Sequence, residues 1–363
     1  MRLIRLFISI WLVALPSFAE NIVLTNGTII DGTGKPRVVG NVRIRDGKVA
    51  DIGAFRPAAA ETRMDVKGLI VAPGFIDFES VSPADFANNF EYRPRISKGV
   101  TTLILGSDGT GPYLIEDFML PFDEKPPVVN IAMLAGHNTI RRQILGGDYK
   151  RAATTAEIGL MAELVHDAMR QGAFGLASDL RKEPASFSTA DELLSLAKAL
   201  NGFGGTFVVR PRDEDIRGPL DVARNAKVPI QFSLDRVDPA ILGDIDKARM
   251  QGVDVGAHMY AVTEPALDLR ALLQSPMIAI SYAQYLQDDK TVSLERAIQK
   301  LAAFPASRVA LRERGVLRKG LPADIVVFNP GALSQGMTYV FVNGTLVVKN
   351  GEPTDARPGQ ALR

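Results

Sequence analysis

The amino-acid sequence predicts an α/β protein in which a central barrel of parallel strands is flanked by two β-rich ends. Two patterns support this prediction: β-branched runs punctuated by Asn-Gly and Asp-Gly at both ends, and short apolar segments alternating with amphipathic ones between them. Of 363 residues, 46% are hydrophobic and 23% are charged, which excludes a collagen, a disordered tail and a disulfide-stapled miniprotein. The formal net charge of +1 gives no electrostatic reason to expect nucleic acid or an anionic membrane as a partner.

The first nineteen residues have the features of a secretory signal. Arg2 and Arg5 precede an apolar run, and small residues precede the expected cleavage point after Ala19. The run is too short for a membrane-spanning helix, which needs about twenty apolar residues. We therefore expect an exported protein with no membrane anchor after cleavage, and the absence of cysteine is typical of the bacterial periplasm. An uncleaved N-terminal anchor is the alternative.

Both ends of the chain are predicted to form short β-strands joined by tight turns. Asn26-Gly27 and Asp46-Gly47 separate β-branched runs near the start, and Asn343-Gly344 does so near the end. Both residues of such dipeptides accept the positive φ angles that two-residue hairpin turns require.

The middle of the chain, from about residue 70 to 305, alternates strand candidates with helical segments. The strand candidates are residues 70–76, 101–105, 128–134, 173–176, 206–209, 229–232, 254–257 and 277–280. Thr155–Arg170 carries apolar residues on one face, and Thr189 with Glu192 forms a capping pattern before a helix over 191–200. Eight βα units in about this length predict a TIM (β/α)8 barrel. A doubly wound open sheet is the alternative, although no Gly-x-Gly-x-x-Gly follows the first strand.

Several runs along these elements form one recognisable set: residues 68–77, 99–102, 136–141, 172–176, 305–306, 314–315, 319–320 and 323–328. Together they resemble the amidohydrolase superfamily, and more specifically its D-aminoacylase (N-acyl-D-amino-acid deacylase) branch. The resemblance extends from about residue 22 to 352. It implies a barrel domain at residues 70–305 and a small β-sandwich domain built from both termini, residues 20–69 and 306–363.

The resemblance also implies an activity, the hydrolysis of the linear amide of N-acyl-D-amino acids. One or two Zn²⁺ ions at the strand C-termini would polarise the carbonyl and lower the pKa of bound water, while an aspartate transfers protons. In this sequence, Tyr282 stands where that catalytic aspartate is expected. We therefore expect no catalytic residue of the family type.

The positions where the resemblance implies metal ligands also carry other residues. Glu79 and Val81 replace the His-x-His after the first strand, and Asp108 replaces the cysteine after the second. Arg210 and Leu234 replace the two later histidines. Valine and leucine have no lone pair to offer, and a guanidinium keeps its positive charge and repels a dication. We therefore expect no zinc at the positions that the family uses.

A rebuilt metal site is the alternative, because four potential ligands fall near predicted strand C-ends: Glu79, Asp108, His137 and His258. Two carboxylates and two imidazoles would hold zinc if they converged. The competing interpretation is that Glu79 and Asp108 form ion pairs with Arg210 or Arg212. His137 and His258 would then make structural hydrogen bonds or line the pocket.

Four residues are candidates for substrate binding: His137, Arg210, Arg236 and Tyr260. By the resemblance, Arg236 occupies the position of a lysine near the substrate and Tyr260 that of a tyrosine. An arginine can hold a carboxylate through two parallel hydrogen bonds. An ion pair of Arg236 with Asp235 or Asp213 is the alternative.

Three functions remain open from the sequence. The first is a non-hydrolytic protein, a pseudoenzyme, that binds a small anion such as an N-acyl amino acid in the barrel mouth. The second is a divergent hydrolase of carbon–nitrogen bonds with a rebuilt carboxylate and histidine metal site. The third is a structural or partner-binding periplasmic protein whose pocket has closed.

Overall fold

The computed structural model describes residues 21–78, 82–88, 93–235, 238–259, 278–280, 293–330 and 336–363, so the predicted signal segment lies outside the described residues. The strands are β1 (Ile22–Ile29), β2 (Val38–Arg45), β3 (Lys48–Gly53), β4 (Thr62–Asp65), β5 (Ile70–Pro73), β6 (Phe75–Asp77), β7 (Val100–Leu105), β8 (Asn130–Met133), β9 (Ala135–Gly136), β10 (Gly175–Asp179), β11 (Thr206–Arg210), β12 (Ile230–Leu234), β13 (Val255–Met259), β14 (Ile278–Ile280), β15 (Ile325–Phe328), β16 (Tyr339–Val342), β17 (Thr345–Lys349) and β18 (Glu352–Pro353). The helices are α1 (Pro83–Asn88), α2 (Arg93–Ile96), α3 (Ile115–Met119), α4 (Pro121–Glu124), α5 (His137–Leu145), α6 (Thr155–Arg170), α7 (Ala190–Lys198), α8 (Arg217–Ala226), α9 (Pro239–Met250), α10 (Leu294–Leu301) and α11 (Ala303–Arg308).

Both ends of the chain build one β-sheet, in the order β18-β17-β16-β15-β5-β1-β2-β3, with β4 beside β1. The strands enclose a core of their own, and Val49 N donates to Leu321 O, which links the β3 edge to the segment before β15. The turns predicted at Asp46-Gly47 and Asn343-Gly344 are confirmed, with positive φ at all four residues.

The turn predicted at Asn26-Gly27 is wrong. Asn26 has a φ of 63°, but it lies inside β1, where the register against β2 shifts between Leu24 and Gly27. The positive φ is therefore accommodated by a bulge. Two hydrogen bonds hold the bulge in place: Asn26 N donates to Asn41 Oδ1, and the side-chain amide of Asn26 donates to Asp65 Oδ1.

Parallel strands form the central barrel that the sequence predicts. One group runs β6-β7-β8 and the other β9-β10-β11-β12-β13-β14, and the strand pairs within both groups are parallel. β8 and β9 are consecutive parts of one segment, separated by Leu134, so the chain joins the two groups. The carboxyl ends of these strands open at one end of the barrel, where enzymes of this architecture place their active sites.

The segment 70–76, expected to be one barrel strand, is divided between the two domains. β5 pairs with β1 and β15 in the terminal sheet, whereas β6 pairs with β7 in the barrel. At Gly74 the chain passes from the terminal sheet to the barrel, and the N–H of this glycine donates to Asp324 O. A Cβ at this position would lie 2.1 Å from Thr101 Oγ1, so only glycine fits between the domains.

The helices around the barrel follow their sequence signals. α6 has the predicted bounds, and it begins with a capping box in which Thr154 and Glu157 bond to each other's backbone N–H. α7 begins after the predicted cap Thr189, whose hydroxyl accepts from Glu192 N. Among the described helices, none is both long enough and apolar enough to cross a membrane.

Candidate functional site

Charged side chains gather where neighbouring barrel strands end. β10 ends at Asp179 and β11 at Arg210, and these two residues are paired in register. β12 ends at Leu234, and Asp235 follows directly. The parallel arrangement therefore places two carboxylates and a guanidinium at adjacent points of the barrel mouth.

Two arginines share the carboxylate of Asp235. Arg210 Nη2 donates to Asp235 Oδ1, and Arg181 Nη1 donates to Asp235 Oδ2. Burial alone would lower the pKa of Arg181, but its hydrogen bond to Asp235 and the charges of Asp179, Asp235 and Glu214 together raise it. The side chain of Asp235 is 47% exposed, whereas that of Arg210 is 16% exposed. The guanidinium is thus held within the mouth by a carboxylate that solvent can reach.

Asp179 is the most buried acid of this cluster, with no exposed surface. Its Oδ1 accepts from Arg181 N at 3.1 Å, whereas Oδ2 has no hydrogen-bond partner in the described chain and lies 3.7 Å from Lys182 Nζ. Sequence reasoning missed Asp179 and Arg181, because the predicted strand ended at residue 176. A predicted strand extended to residue 179 would have placed Asp179 at a strand end.

The Arg212 ion pair expected from the sequence does not occur among the described residues. Arg212 Nη2 instead donates to the backbone carbonyls of Ala185, Ser186 and Ser188. Asp108 accepts from the backbone and hydroxyl of Thr110, which closes a local turn. The pairing of Asp108 with either arginine is therefore wrong, and the physical reason is that nearer partners satisfy both groups.

His137 is completely buried at the start of α5 and is held from both sides. Its Nδ1 lies 2.7 Å from Ser178 Oγ and its Nε2 lies 2.8 Å from Glu192 Oε1. Because a carboxylate only accepts, Nε2 carries a proton and donates it to Glu192. Both ring nitrogens are therefore engaged by protein groups.

Glu192 is itself buried, and Arg141 pairs with it from the other side. Burial raises the pKa of Glu192, but the hydrogen bonds and positive charges of His137 and Arg141 outweigh burial and lower it. Arg141 also donates to carbonyls of the following loops, including Pro184 O at 3.0 Å and Tyr149 O at 3.2 Å. This network fixes α5 and α7 to the loops after β10.

His258 lies in β13, buried inside the barrel, with the Phe78 ring centroid 5.1 Å from its own. Arg308 Nε donates to Gln231 Oε1 at 3.0 Å, which turns Gln231 Nε2 toward His258 Nδ1 at 3.2 Å. Nδ1 therefore accepts, and Nε2 donates to Ser233 Oγ at 2.9 Å. Burial lowers the pKa of His258 to about 3, so the imidazole is neutral at neutral pH.

The described donor set does not fit a zinc ion of the family type. Leu234 is fully buried within the main hydrophobic core, and Arg210 is committed to Asp235. Among the described residues, no three His, Asp or Glu side chains lie close enough together to hold a metal. Within the described part of the chain, Arg210 and Leu234 therefore supply no ligand at the positions that the resemblance implies.

Several predicted site residues lie outside the described residues: Glu79, Val81, Arg236, Tyr260 and Tyr282. The rebuilt metal site that includes Glu79, and the carboxylate site of Arg236 and Tyr260, stay predictions. The same holds for the catalytic position at Tyr282.

The barrel and the terminal β domain together have the architecture of the amidohydrolase superfamily. No model of a protein family matches the chain. It is 31% identical to the D-aminoacylase of Alcaligenes xylosoxydans xylosoxydans, over 94% of this chain and 97% of that relative. This chain belongs to the D-aminoacylase family of N-acyl-D-amino-acid deacylases.

Solved structures agree with this assignment at the level of the fold. A crystal structure of D-aminoacylase superposes with a TM-score of 0.84 at 23% identity, covering 95% of this chain and all of the other. The N-acyl-D-glutamate deacylase from Bordetella bronchiseptica, complexed with zinc and a phosphonate inhibitor, gives a TM-score of 0.83 at 24% identity, with 95% and 99% covered. The zinc described there belongs to the Bordetella bronchiseptica deacylase complex.

Proposed function

We propose that this member of the family has lost amide hydrolysis and binds a small organic anion, such as an N-acyl amino acid, at the barrel mouth. The observation that carries the proposal is the Arg210–Asp235 ion pair, which places a permanent positive charge where the family resemblance implies a metal-binding histidine. A guanidinium does not deprotonate near neutral pH, so it repels a dication and attracts a carboxylate.

The side chains around Arg210 support the loss of a metal. Leu234, at the next expected ligand position, is buried in the hydrophobic core and offers no lone pair. The two described histidines near strand ends, His137 and His258, use both ring nitrogens in hydrogen bonds within the protein. Recruiting either imidazole to a metal would break a buried contact.

The exposed carboxylate of Asp235 supports anion binding. Asp235 bonds to both Arg181 and Arg210, and nearly half of its side chain is open to solvent. Because solvent reaches this acid, a ligand carboxylate can approach the two guanidinium groups and exchange with it. The two guanidinium groups then offer parallel N–H groups to the ligand.

Export is part of the proposal. The basic start and apolar run of the first nineteen residues support it. We expect the mature chain to begin after Ala19, which N-terminal sequencing of protein from a periplasmic extract would establish. A full-length N-terminus in the cytoplasmic fraction would contradict this part.

Metal analysis of the purified mature protein, combined with a deacylase assay, tests the main proposal. We expect less than stoichiometric zinc and manganese, and no hydrolysis of N-acetyl-D-amino acids with or without added Zn²⁺. Calorimetry should nevertheless show binding of the same compounds. Stoichiometric bound metal with zinc-dependent turnover would overturn the proposal and favour the divergent hydrolase.

A further inference from the structure

A concave site lies at the other end of the barrel from the mouth. It is a cavity of about 870 Å³ between the barrel, the β domain and the last residues of the chain. Phe174, which lines it, directly precedes β10, so the cavity opens at the amino ends of the strands. This volume falls within the range of about 300 to 1,000 Å³ that small-molecule sites occupy.

A buried guanidinium forms part of the cavity wall. The Arg314 side chain is only 6% exposed. Its hydrogen bonds within the described chain, to Asp324 and Asn343, both leave from Nη1. Nε and Nη2 therefore remain as donors. Together they form the edge of the guanidinium that can donate two parallel hydrogen bonds to an oxyanion.

The position of Arg314 is fixed before any ligand arrives. Asp324 Oδ1 accepts from Asn343 N at 2.7 Å, and its Oδ2 accepts from Asn130 as well as from Arg314. Asn343 in turn donates to Asn130 Oδ1 at 2.7 Å. This network joins the β domain to barrel strand β8, and a donor held in this way loses little entropy on binding.

The rim and the floor of the cavity indicate the chemistry of the occupant. Exposed Lys48 and Arg312 line the rim and can attract an anion. Two acids, Asp46 and Glu313, also line it, which disfavours a highly charged polyanion. The apolar side chains of Phe174, Leu311 and Leu362 line the same cavity and match an apolar group on the ligand.

We propose that this cavity is a binding site, separate from the barrel mouth, for an organic oxyanion that carries an apolar group, with Arg314 Nε and Nη2 donating to the anionic head. The head is a carboxylate or a phosphate monoester, since both accept two parallel hydrogen bonds from a guanidinium. The proposal does not depend on the function proposed for the barrel mouth.

Calorimetric titration of the mature full chain with hexanoate and with hexyl phosphate, at constant ionic strength set by sodium chloride, tests this site. We expect one of the two to bind at a single site, and the tighter of them identifies the head group. The double variant K48A/R312A should weaken that binding about tenfold, since both exposed cations attract the anion through solvent. The matched control is R318A/K319A, which removes two exposed cations of the same segment that do not line the cavity.

Arg314→Lys provides a second, independent variant, because lysine keeps the positive charge but lacks the bidentate donor edge of arginine. We expect it to bind the same ligand at least as weakly as K48A/R312A, while its circular dichroism spectrum stays that of the parent. The proposal is overturned if neither compound binds the parent chain, or if affinity is unchanged in K48A/R312A. It is also overturned if R318A/K319A weakens binding as much.

Discussion

Arg210 and Asp235, at the ends of neighbouring parallel strands, are joined by an ion pair in the barrel mouth. Arg181 binds the second oxygen of the same carboxylate, so two guanidinium groups are held around one acid. The pair occupies a place where the family resemblance implies a metal ligand. The anion binding proposed for the mouth rests on these two guanidinium groups.

Replacing Arg210 with alanine should weaken binding of N-acetyl-D-amino acids at least about tenfold, because a charged hydrogen bond to the ligand contributes about 1.5 to 3 kcal/mol. Asp235 keeps Arg181 as its partner after the change, so the loss of stability should be smaller than for a fully buried ion pair. Calorimetry and urea unfolding measure the two effects. Arg217→Ala, which removes an exposed ion pair with Asp215 away from the strand ends, is the control. Equal ligand affinity in both variants would contradict the role of Arg210.

Glu192→Gln should lower the free energy of unfolding by about 3 kcal/mol, because breaking one side of a buried ion pair leaves other charges uncompensated. His137 and Arg141 both depend on this carboxylate, and all three side chains are fully buried. Urea denaturation of the two proteins measures the difference. Glu183→Gln, at a half-exposed acid bonded to Tyr149 and Lys150, should cost much less, because solvent screens that pair. Similar losses in both variants would show that burial does not govern the effect.

His258 should make the protein less stable as the pH falls below about 6.5. Its folded-state pKa is lowered to about 3 by burial, so between these values the unfolded chain binds a proton that the folded chain does not. The contribution of His258 to the free energy of unfolding is therefore fully present above its pKa in the unfolded chain, and it decreases as the pH falls toward 3. Between pH 6.5 and 5 the loss amounts to about 2 kcal/mol, at 1.36 kcal/mol per pH unit.

The measurement for His258 is the free energy of unfolding at pH 7 and pH 5, in the parent and in His258→Gln. Among the residues that the structure describes, Gln231, Ser233 and Phe78 contact the ring, and Arg308 reaches it through Gln231. The variant should lose the part of the pH slope that belongs to this histidine. His166→Gln, at a histidine on the outer helix α6, should retain that slope; an unchanged slope in His258→Gln would refute the assignment.

Gly74→Ala should destabilise the junction between the domains by about 1 to 3 kcal/mol, the usual cost of forcing an atom into packed space. The added Cβ would meet Thr101 Oγ1 at 2.1 Å, and the backbone there is tied to Asp324. Gly159→Ala is the control, since nothing lies within 4 Å of its Cβ in helix α6. That change should raise stability by about 1 kcal/mol, because alanine favours the helix. Thermal unfolding would show opposite shifts, and a neutral Gly74→Ala would contradict the close approach.

Local sequence patterns determined the elements and the kind of fold. The period of apolar residues fixed α6 at its observed bounds, and the Thr189–Glu192 pattern fixed the start of α7. Such signals can be read from the sequence because each one acts between residues a few positions apart. The alternation of strands and helices was enough to predict the barrel for the same reason.

The tertiary structure alone decided which partners the charged and polar residues take. Residues 70–76 read as one strand, but packing against Thr101 and Asp324 assigns its two halves to different domains. Arg210 pairs with Asp235 and not with Asp108, because β11 and β12 are neighbouring strands and Asp235 directly follows β12. By the resemblance, the sequence alone places other residues at the positions where metal ligands are expected. The partners that these residues take depend on residues far apart in the chain, whose proximity only the folded barrel creates.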